Sequence, residues 1–244
     1  MLFICLQSWL PIRLKPSPDA EMVTSLLFGE TATVLSATDD WYQVECTHDG
    51  YHGWISKSYL FESAEEHADF TRRLCVHGSY WRNVSGRMDL SPGSLIPETG
   101  RMTHSGNLFH YCENQAFIPD SDNVIAIAEL FRFSPYLWGG RSVWGIDCSG
   151  LVQISYQIIG LNLPRDAKDQ SLVGEEVAFG NHKSGDLAFF EKDGKITHTG
   201  LICEKDFIYH ASGKVRKDRL CKQGIEHYVT GKLSHNLACI RRVR

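Results

Sequence analysis

The chain has 244 residues, 43% of them apolar and 11% aromatic, with 25 Lys and Arg against 29 Asp and Glu for a net charge of −4. Such a composition supports one large domain or two to three small ones and excludes a disordered chain. The mildly acidic balance lacks the basic excess that phosphate binding needs, which argues against nucleic acid, and no apolar run approaches the roughly 18 residues of a membrane helix.

Residues Met1 to Ile12 are apolar but short. No Lys or Arg precedes the apolar stretch and no small-x-small site follows it, so it does not read as a secretory signal. Leu6–Leu14 reads instead as a first β-strand. The eight cysteines contain no C-x-x-C pair, which argues against a zinc knuckle or a thioredoxin-type redox pair. Reduced thiols and a cytoplasmic location are the expectation, with a secreted or periplasmic protein as the alternative if a native leader was removed.

Across residues 1–62, short apolar runs are broken by turn chemistry at Pro16-Ser17-Pro18-Asp19, Thr38-Asp39-Asp40 and His48-Asp49-Gly50. Between the breaks, Met22–Leu27, Thr31–Leu35, Trp41–Cys46 and Gly53–Ile55 read as strands rich in β-branched and aromatic residues. That spacing predicts a small barrel or sandwich. The pieces Leu27-Phe28-Gly29-Glu30, Asp40-Trp41-Tyr42-Gln43-Val44 and Gly50-Tyr51-His52-Gly53-Trp54-Ile55 resemble a bacterial SH3-like domain. In residues 63–120, Ser63–Ala68 reads as a short acidic linker, and turn-rich stretches such as Ser91-Pro92-Gly93 follow. A second, degenerate SH3-like domain is the expectation there.

From Ser121 the grammar changes. Val124, Ile127, Ala128, Leu130 and Phe131 fall at helical spacing after Ser121 and Asp122 as caps. A second helix is carried by Leu151, Val152, Ile154, Ser155 and Ile158, and is stopped by Gly160 and Pro164. Beyond Ser184 the pattern alternates, and Asp186–Phe190, Thr197–Cys203 and Phe207–Ser212 read as strands. Helices first and an antiparallel sheet after them make residues 121–244 an α+β domain.

The stretch "PYLWGGRSVWGIDCSGLVQ", Pro135 to Gln153, runs from a Gly-rich loop into Cys148 at the start of that second helix. A helix N-terminus offers free N–H groups and partial positive charge. Both favour a thiolate, the nucleophilic form of cysteine, and the same N–H groups can hold an oxyanion. The plainer alternative is a buried packing cysteine. A thiolate peptidase also needs a base, usually His. If Thr197–Cys203 and Phe207–Ser212 form a hairpin in which Cys203 opposes Phe207, Gly200 opposes His210. His198 and His210 then become diagonal neighbours on one face, and Gly200 leaves room for another element to approach. Two histidines bonded to backbone are the alternative.

The order Cys148, His198, His210, within "DCSGLVQ", "SGDLAFF", "HTGLI" and "YHAS", resembles the NlpC-type branch of papain-like cysteine peptidases. The resemblance covers about Val124 to Arg242. It implies an α+β papain-like domain preceded by one or two small all-β SH3-like barrels, with no metal or organic cofactor. It further implies Cys148 as nucleophile, His198 as general base, His210 as the residue orienting that base, and Tyr136 at the oxyanion site. Asp147 and Ser149, flanking Cys148, are candidate substrate contacts, with helix capping the alternative for Asp147.

"LPRDAKDQ", Leu163 to Gln170, resembles a segment of the subgroup that carries an SH3-like domain. Ala167 stands where some relatives have Ser. That subgroup cuts murein peptides between D-glutamate and the diamino acid and requires a free N-terminal L-alanine. The resemblance implies that Asp166 helps bind the α-amine, with a hydroxyl from Tyr51 and a second anionic contact from Glu30. Capping is the alternative for Asp166, and core packing for Tyr51. The expected substrate is a murein tripeptide or tetrapeptide. Rival readings are a secreted peptidoglycan hydrolase tethered by its SH3-like domain, a non-catalytic wall-peptide binder, and an acyl- or amide-transfer enzyme on the same scaffold.

Overall fold

The computed structural model describes residues 1–59, 62–63, 69–74, 76, 78–84, 86–104, 107–112, 123–204 and 206–243. The chain divides into two compact units, residues 1–119 with 138–143, and residues 120–137 with 144–244.

The first unit is all β. One seven-stranded sheet runs in the order Met22–Leu27, Trp9–Arg13, His52–Ser56, Trp41–Cys46, Thr31–Ala37, Leu2–Ile4, Glu62–Ser63. Its apolar positions, among them Phe3, Leu10, Ile12, Leu26, Val44 and Ile55, close over one core. The strand expected over Leu6–Leu14 is Trp9–Arg13, and a further strand, Leu2–Ile4, precedes it. Cys5 donates its N–H to the Glu30 carbonyl and accepts from Gly29, and this local loop turns the chain between the two strands. Gly29 has a φ of +80°, and a Cβ there would stand 2.2 Å from the Leu95 carbonyl oxygen, so only glycine fits.

The middle segment is also β. A four-stranded sheet takes the order Gly86–Asp89, Tyr80–Asn83, Asn107–Cys112, Arg101–His104, and Phe70–Arg73 pairs with Leu95–Pro97. Its core is shared with the first sheet, because Ile4, Leu6 and Phe28 pack with Trp81, Phe70 and Ile96. Phe28 lies 5.8 Å from the ring centres of both Phe70 and Trp81. Residues 64–68, most of the expected linker, lie outside the described residues.

The second unit begins with helix α1, Val124–Glu129, capped by the Asn123 side chain, which accepts from the Ile125 and Ala126 N–H groups. The caps expected at Ser121 and Asp122 lie outside the described residues. Helix α2, Cys148–Ile158, is buried on all sides from Cys148 through Gln157, as an apolar helix enclosed by other elements should be. Helix α3, Ala167–Gln170, is a single turn. The sheet order is Glu175–Glu176, Leu233–Arg242, Leu187–Lys192, Lys195–Glu204, Phe207–Ser212, Lys214–Cys221, Gly224–Glu226, and Gly224–Glu226 pairs back onto Leu233–Arg242. That last pairing closes the antiparallel sheet into a barrel, which alternation alone did not reveal. Among the described residues, no helix is long and apolar enough to cross a membrane.

Candidate active site

Cys148 is the first residue of α2, and Asp147 is its N-cap, accepting the Gly150 N–H at 2.7 Å. The thiol is buried, 5% exposed. Backbone N–H groups of Thr199 and Ser149 reach it and favour the thiolate, as does Arg165, but burial and the Asp147 carboxylate outweigh them and push the thiol up to about 12. The helix N-terminus therefore does not leave a standing thiolate, contrary to the expectation from its position. The resting thiol is neutral and needs a base to give up its proton.

The candidate for that base lies on two adjacent strands. Leu201 opposes Tyr209 and Ile202 opposes Ile208, the register that places Gly200 opposite His210. At the hairpin end a bulge makes Glu204, rather than Cys203, the partner of Phe207, and it lies on the side away from the histidines. A Cβ on Gly200 would lie 2.6 Å from the Tyr209 carbonyl oxygen and 2.9 Å from the His210 Cβ. The room left by this glycine is filled by the His210 strand itself, not by another element.

His198 Nε2 lies 2.9 Å from His210 Nδ1, and His210 Nε2 lies 3.0 Å from Asp218 Oδ2. The protons along this chain follow from its end. The Asp218 carboxylate only accepts, so His210 Nε2 carries the hydrogen and its Nδ1 is a lone pair. His198 must then donate from Nε2, which leaves its Nδ1 unprotonated and free to take a proton from the thiol. Burial pushes the Asp218 carboxyl up, but His210, the Tyr228 N–H and Arg216 together hold it well below the usual range. Burial holds His210 down despite Asp218, and holds His198 well below an ordinary histidine, helped by His210 and His235. Both imidazoles are neutral at rest.

The strand Leu233–Arg242 adds His235, stacked on His198 with ring centres 4.1 Å apart and 22° between planes. A cleft of about 300 Å³ is lined by Tyr136, Thr197, His198, Ser212, Gly213 and His235. Burial, then the nearby Cys148 and Asp147, pushes the Tyr136 hydroxyl far up. It stays protonated and can donate to an oxyanion.

The other expected contacts divide. Asp147 and Ser149 are structural: Arg165 reaches Asp147 Oδ2 at 2.6 Å, Oδ1 at 3.0 Å and Ser149 Oγ at 2.8 Å, all buried. This fork fixes the cap beneath Cys148, so both side chains already have buried partners. Gln170 Nε2 donates to the Ser149 and Pro164 carbonyls, so "LPRDAKDQ" folds across the start of α2. Asp166 stands at the N-cap of α3 with no side-chain capping bond and is half-buried.

Glu30 is likewise withdrawn from any ligand. Arg141 donates to its Oε2 at 2.8 Å and its Oε1 at 3.1 Å, the Leu27 N–H to Oε2 at 2.9 Å, and Arg73 to Oε1 at 3.4 Å. It is 2% exposed. Burial pushes its carboxyl up, and Arg141, His48 and Arg73 more than reverse this, holding it well below the usual range. Tyr51 packs its ring against the core of the first sheet and remains half-buried.

The sequence reading missed Asp218, His235 and Arg165. Among the described residues, no group of three or more His, Cys, Asp and Glu is placed to hold a metal ion.

The profile of the NlpC/P60 family matches residues 133–234, and that of the bacterial dipeptidyl-peptidase Sh3 domain matches residues 12–60. The chain is 30% identical over 223 residues to the gamma-D-glutamyl-L-lysine dipeptidyl-peptidase of Bacillus subtilis strain 168, across 82% of this chain and 75% of that protein. It is 26% identical over 233 residues to dipeptidyl-peptidase 6 of Lysinibacillus sphaericus, across 81% of this chain and 83% of that protein. Among solved structures, an NlpC/P60 family protein from Bacillus cereus ATCC 10987 shares the fold with a TM-score of 0.81, over 99% of each chain at 20% identity.

Proposed function

The chain belongs to the NlpC/P60 family of cysteine peptidases, and we propose that it cleaves the bond between the γ-carboxyl of D-glutamate and the diamino acid of murein tripeptides or tetrapeptides with a free N-terminal L-alanine. The product is L-Ala-D-Glu, and the role is recycling of free wall peptides in the cytoplasm. One observation carries the substrate assignment: the likeness to the Bacillus subtilis dipeptidyl-peptidase runs through 82% of the chain, SH3-type and catalytic regions together.

The geometry supports the following mechanism. His198 Nδ1 takes the Cys148 proton as the sulfur attacks the γ-glutamyl carbonyl carbon. The oxyanion that forms accepts from the Tyr136 hydroxyl and from N–H groups at the start of α2. The imidazolium at His198 is held by its Nε2–H bond to His210, which Asp218 backs. His198 then returns the proton to the departing amine as the C–N bond breaks, leaving a thioester. A water molecule gives its proton to His198 and attacks the thioester, releasing the new carboxylate and the thiol. Asp166 is the candidate contact for the α-amine, and a carboxylate that needs an ammonium partner would disfavour an acylated alanine.

The test is mass spectrometry of L-Ala-γ-D-Glu-meso-diaminopimelate and its N-acetylated form, each incubated with the pure protein and with Cys148→Ala. Cleavage of the free-amine peptide alone, lost in the variant, is the expected result. Equal cleavage of both peptides would remove the amine requirement and favour a wall hydrolase. Binding without cleavage of either would make the chain a wall-peptide binder.

A further inference from the structure

A hydrogen bond at one end of an imidazole fixes that nitrogen but leaves the ring free to rock about the line of the bond. His198 has such a bond at Nε2, to His210. A base whose working nitrogen is at the other end therefore needs a second constraint on its plane. Phe190 meets the His198 ring only at a tilt, with centres 5.9 Å apart and 45° between planes. His235 lies flat on it. We propose that His235 is a positioning residue, whose stacked ring holds the plane of His198 so that Nδ1 stays directed at the Cys148 thiol, and which keeps water from the imidazolium formed there. The proposal rests on the reading of Cys148 and His198 as nucleophile and base.

His235 is itself held. Ser234 Oγ donates to the Ile225 carbonyl at 3.2 Å, so at 2.8 Å from His235 Nδ1 it accepts that nitrogen's hydrogen. This fixes the tautomer and the ring. The ring is also uncharged at neutral pH, since burial, then His210 and Arg216, lower it to about 4. A neutral aromatic face favours a cation stacked on it, whereas a protonated one would repel it. His235 lines the cleft beside Tyr136 and Ser212, and His198 behind it is only 6% exposed.

The ionisable groups around His198 set the sign of the pH effect. They are His210 from Phe207–Ser212, Arg216 from Lys214–Cys221 and His235 from Leu233–Arg242, with Asp218 bonded to His210 and with Tyr136, Asp147 and Arg165 around the thiol. Burial is the largest influence lowering His198, and His210, His235 and Arg216 add to it. Removing the His235 ring admits water and raises His198, so the base becomes protonated, and idle, at a higher pH.

The experiment compares the full-length protein with His235→Ala and His235→Phe. Its readout is the rate of iodoacetamide alkylation at Cys148 as a function of pH, followed on the Cys148 peptide because other cysteines are free. No murein peptide enters, so a failed substrate assignment leaves the readout intact. His235→Ala is expected to react on the order of tenfold more slowly at neutral pH, with its acid limb moved to higher pH. His235→Phe, a flat ring without nitrogens, should restore the rate to within about threefold. Wild-type rate and an unmoved limb in His235→Ala would overturn the proposal. So would a Phe variant as slow as the Ala variant, which would assign the role to a nitrogen of His235 instead of its plane. If His235→Ala does not fold, His235→Asn replaces it, with the same expected loss.

Discussion

The first unit buries Glu30 between Arg141 and Arg73, while the second buries Asp218 between His210 and Arg216. Both carboxylates lose their hydration and both are held ionised by bonded cationic or N–H partners. Their partners differ in one respect. The groups hydrogen-bonded to Glu30 are Arg141, Arg73 and the Leu27 N–H, none of which gives up its proton at any working pH. The imidazole of His48 stands 3.9 Å off, so the bonded Glu30 cluster can only hold residues in place. Imidazole gives and takes a proton near neutrality, so the same carboxylate chemistry at Asp218 imposes a tautomer on two histidines and prepares a base. What a buried carboxylate does is decided by whether its neighbour can titrate.

Three changes would break or sharpen this contrast. The largest effect belongs to Asp218→Asn. An amide can present N–H to His210 Nε2, which would invert the tautomer of His210 and then of His198, leaving a hydrogen where the base needs a lone pair. A kcat loss on the order of 100-fold, with KM little changed, is expected for hydrolysis of the proposed murein tripeptide, read by steady-state kinetics. An unchanged kcat would show that the tautomer chain is not what prepares the base.

At Glu30 the loss should appear in stability. Glu30→Gln leaves Arg141, fully buried, without its counter-charge, at a cost of about 3 kcal/mol, measured by denaturant unfolding of the first unit. The double change Glu30→Leu with Arg141→Met should recover most of that loss, because replacing a whole buried pair by apolar residues is close to neutral.

The smallest and most diagnostic effect is a difference in acid sensitivity. His198 and His210 are lowered in the folded protein, so below their usual 6.5 the unfolded chain binds protons the native state refuses. The second unit therefore loses stability as pH falls from about 6.5. Glu30 is lowered from 4.5, so its contribution is present above that value and is lost only as pH falls below it. Hydrogen exchange corrected for intrinsic rates should show strands Lys195–Glu204 and Phe207–Ser212 losing protection in the upper window. Met22–Leu27 and Thr31–Ala37 should hold until the lower one. Loss in both regions at the same pH would remove the distinction.

How much of this was legible in the sequence depended on range. Cys148 at a helix start and the His198/His210 pair follow from a Gly-rich loop, a cap and a short hairpin, all local signals that a period of two can carry. Asp218 was within reach of the same logic: His210 opposes Arg216 across the next hairpin, and alternation puts Asp218 on their face. His235 was not, because its strand meets the sheet through bulges at Phe189/Phe190 and Ile225/Glu226, and each bulge breaks the parity count. Glu30 was misread as a ligand group because its partner is Arg141, 111 positions away. The closure of the second unit's sheet into a barrel escaped although its partners lie close in sequence, with Ile225 opposite His235. It depends on one pairing between Gly224–Glu226 and Leu233–Arg242, and nothing in either strand's own pattern announces it.

The central claim is that Asp218 dictates the protonation pattern of the two catalytic-face histidines. Nitrogen-15 chemical shifts of the imidazoles in the free protein at neutral pH test it directly. The account predicts that both His198 and His210 carry hydrogen on Nε2 and a bare lone pair on Nδ1. A His198 protonated at Nδ1, or present as imidazolium beside a thiolate, would contradict it.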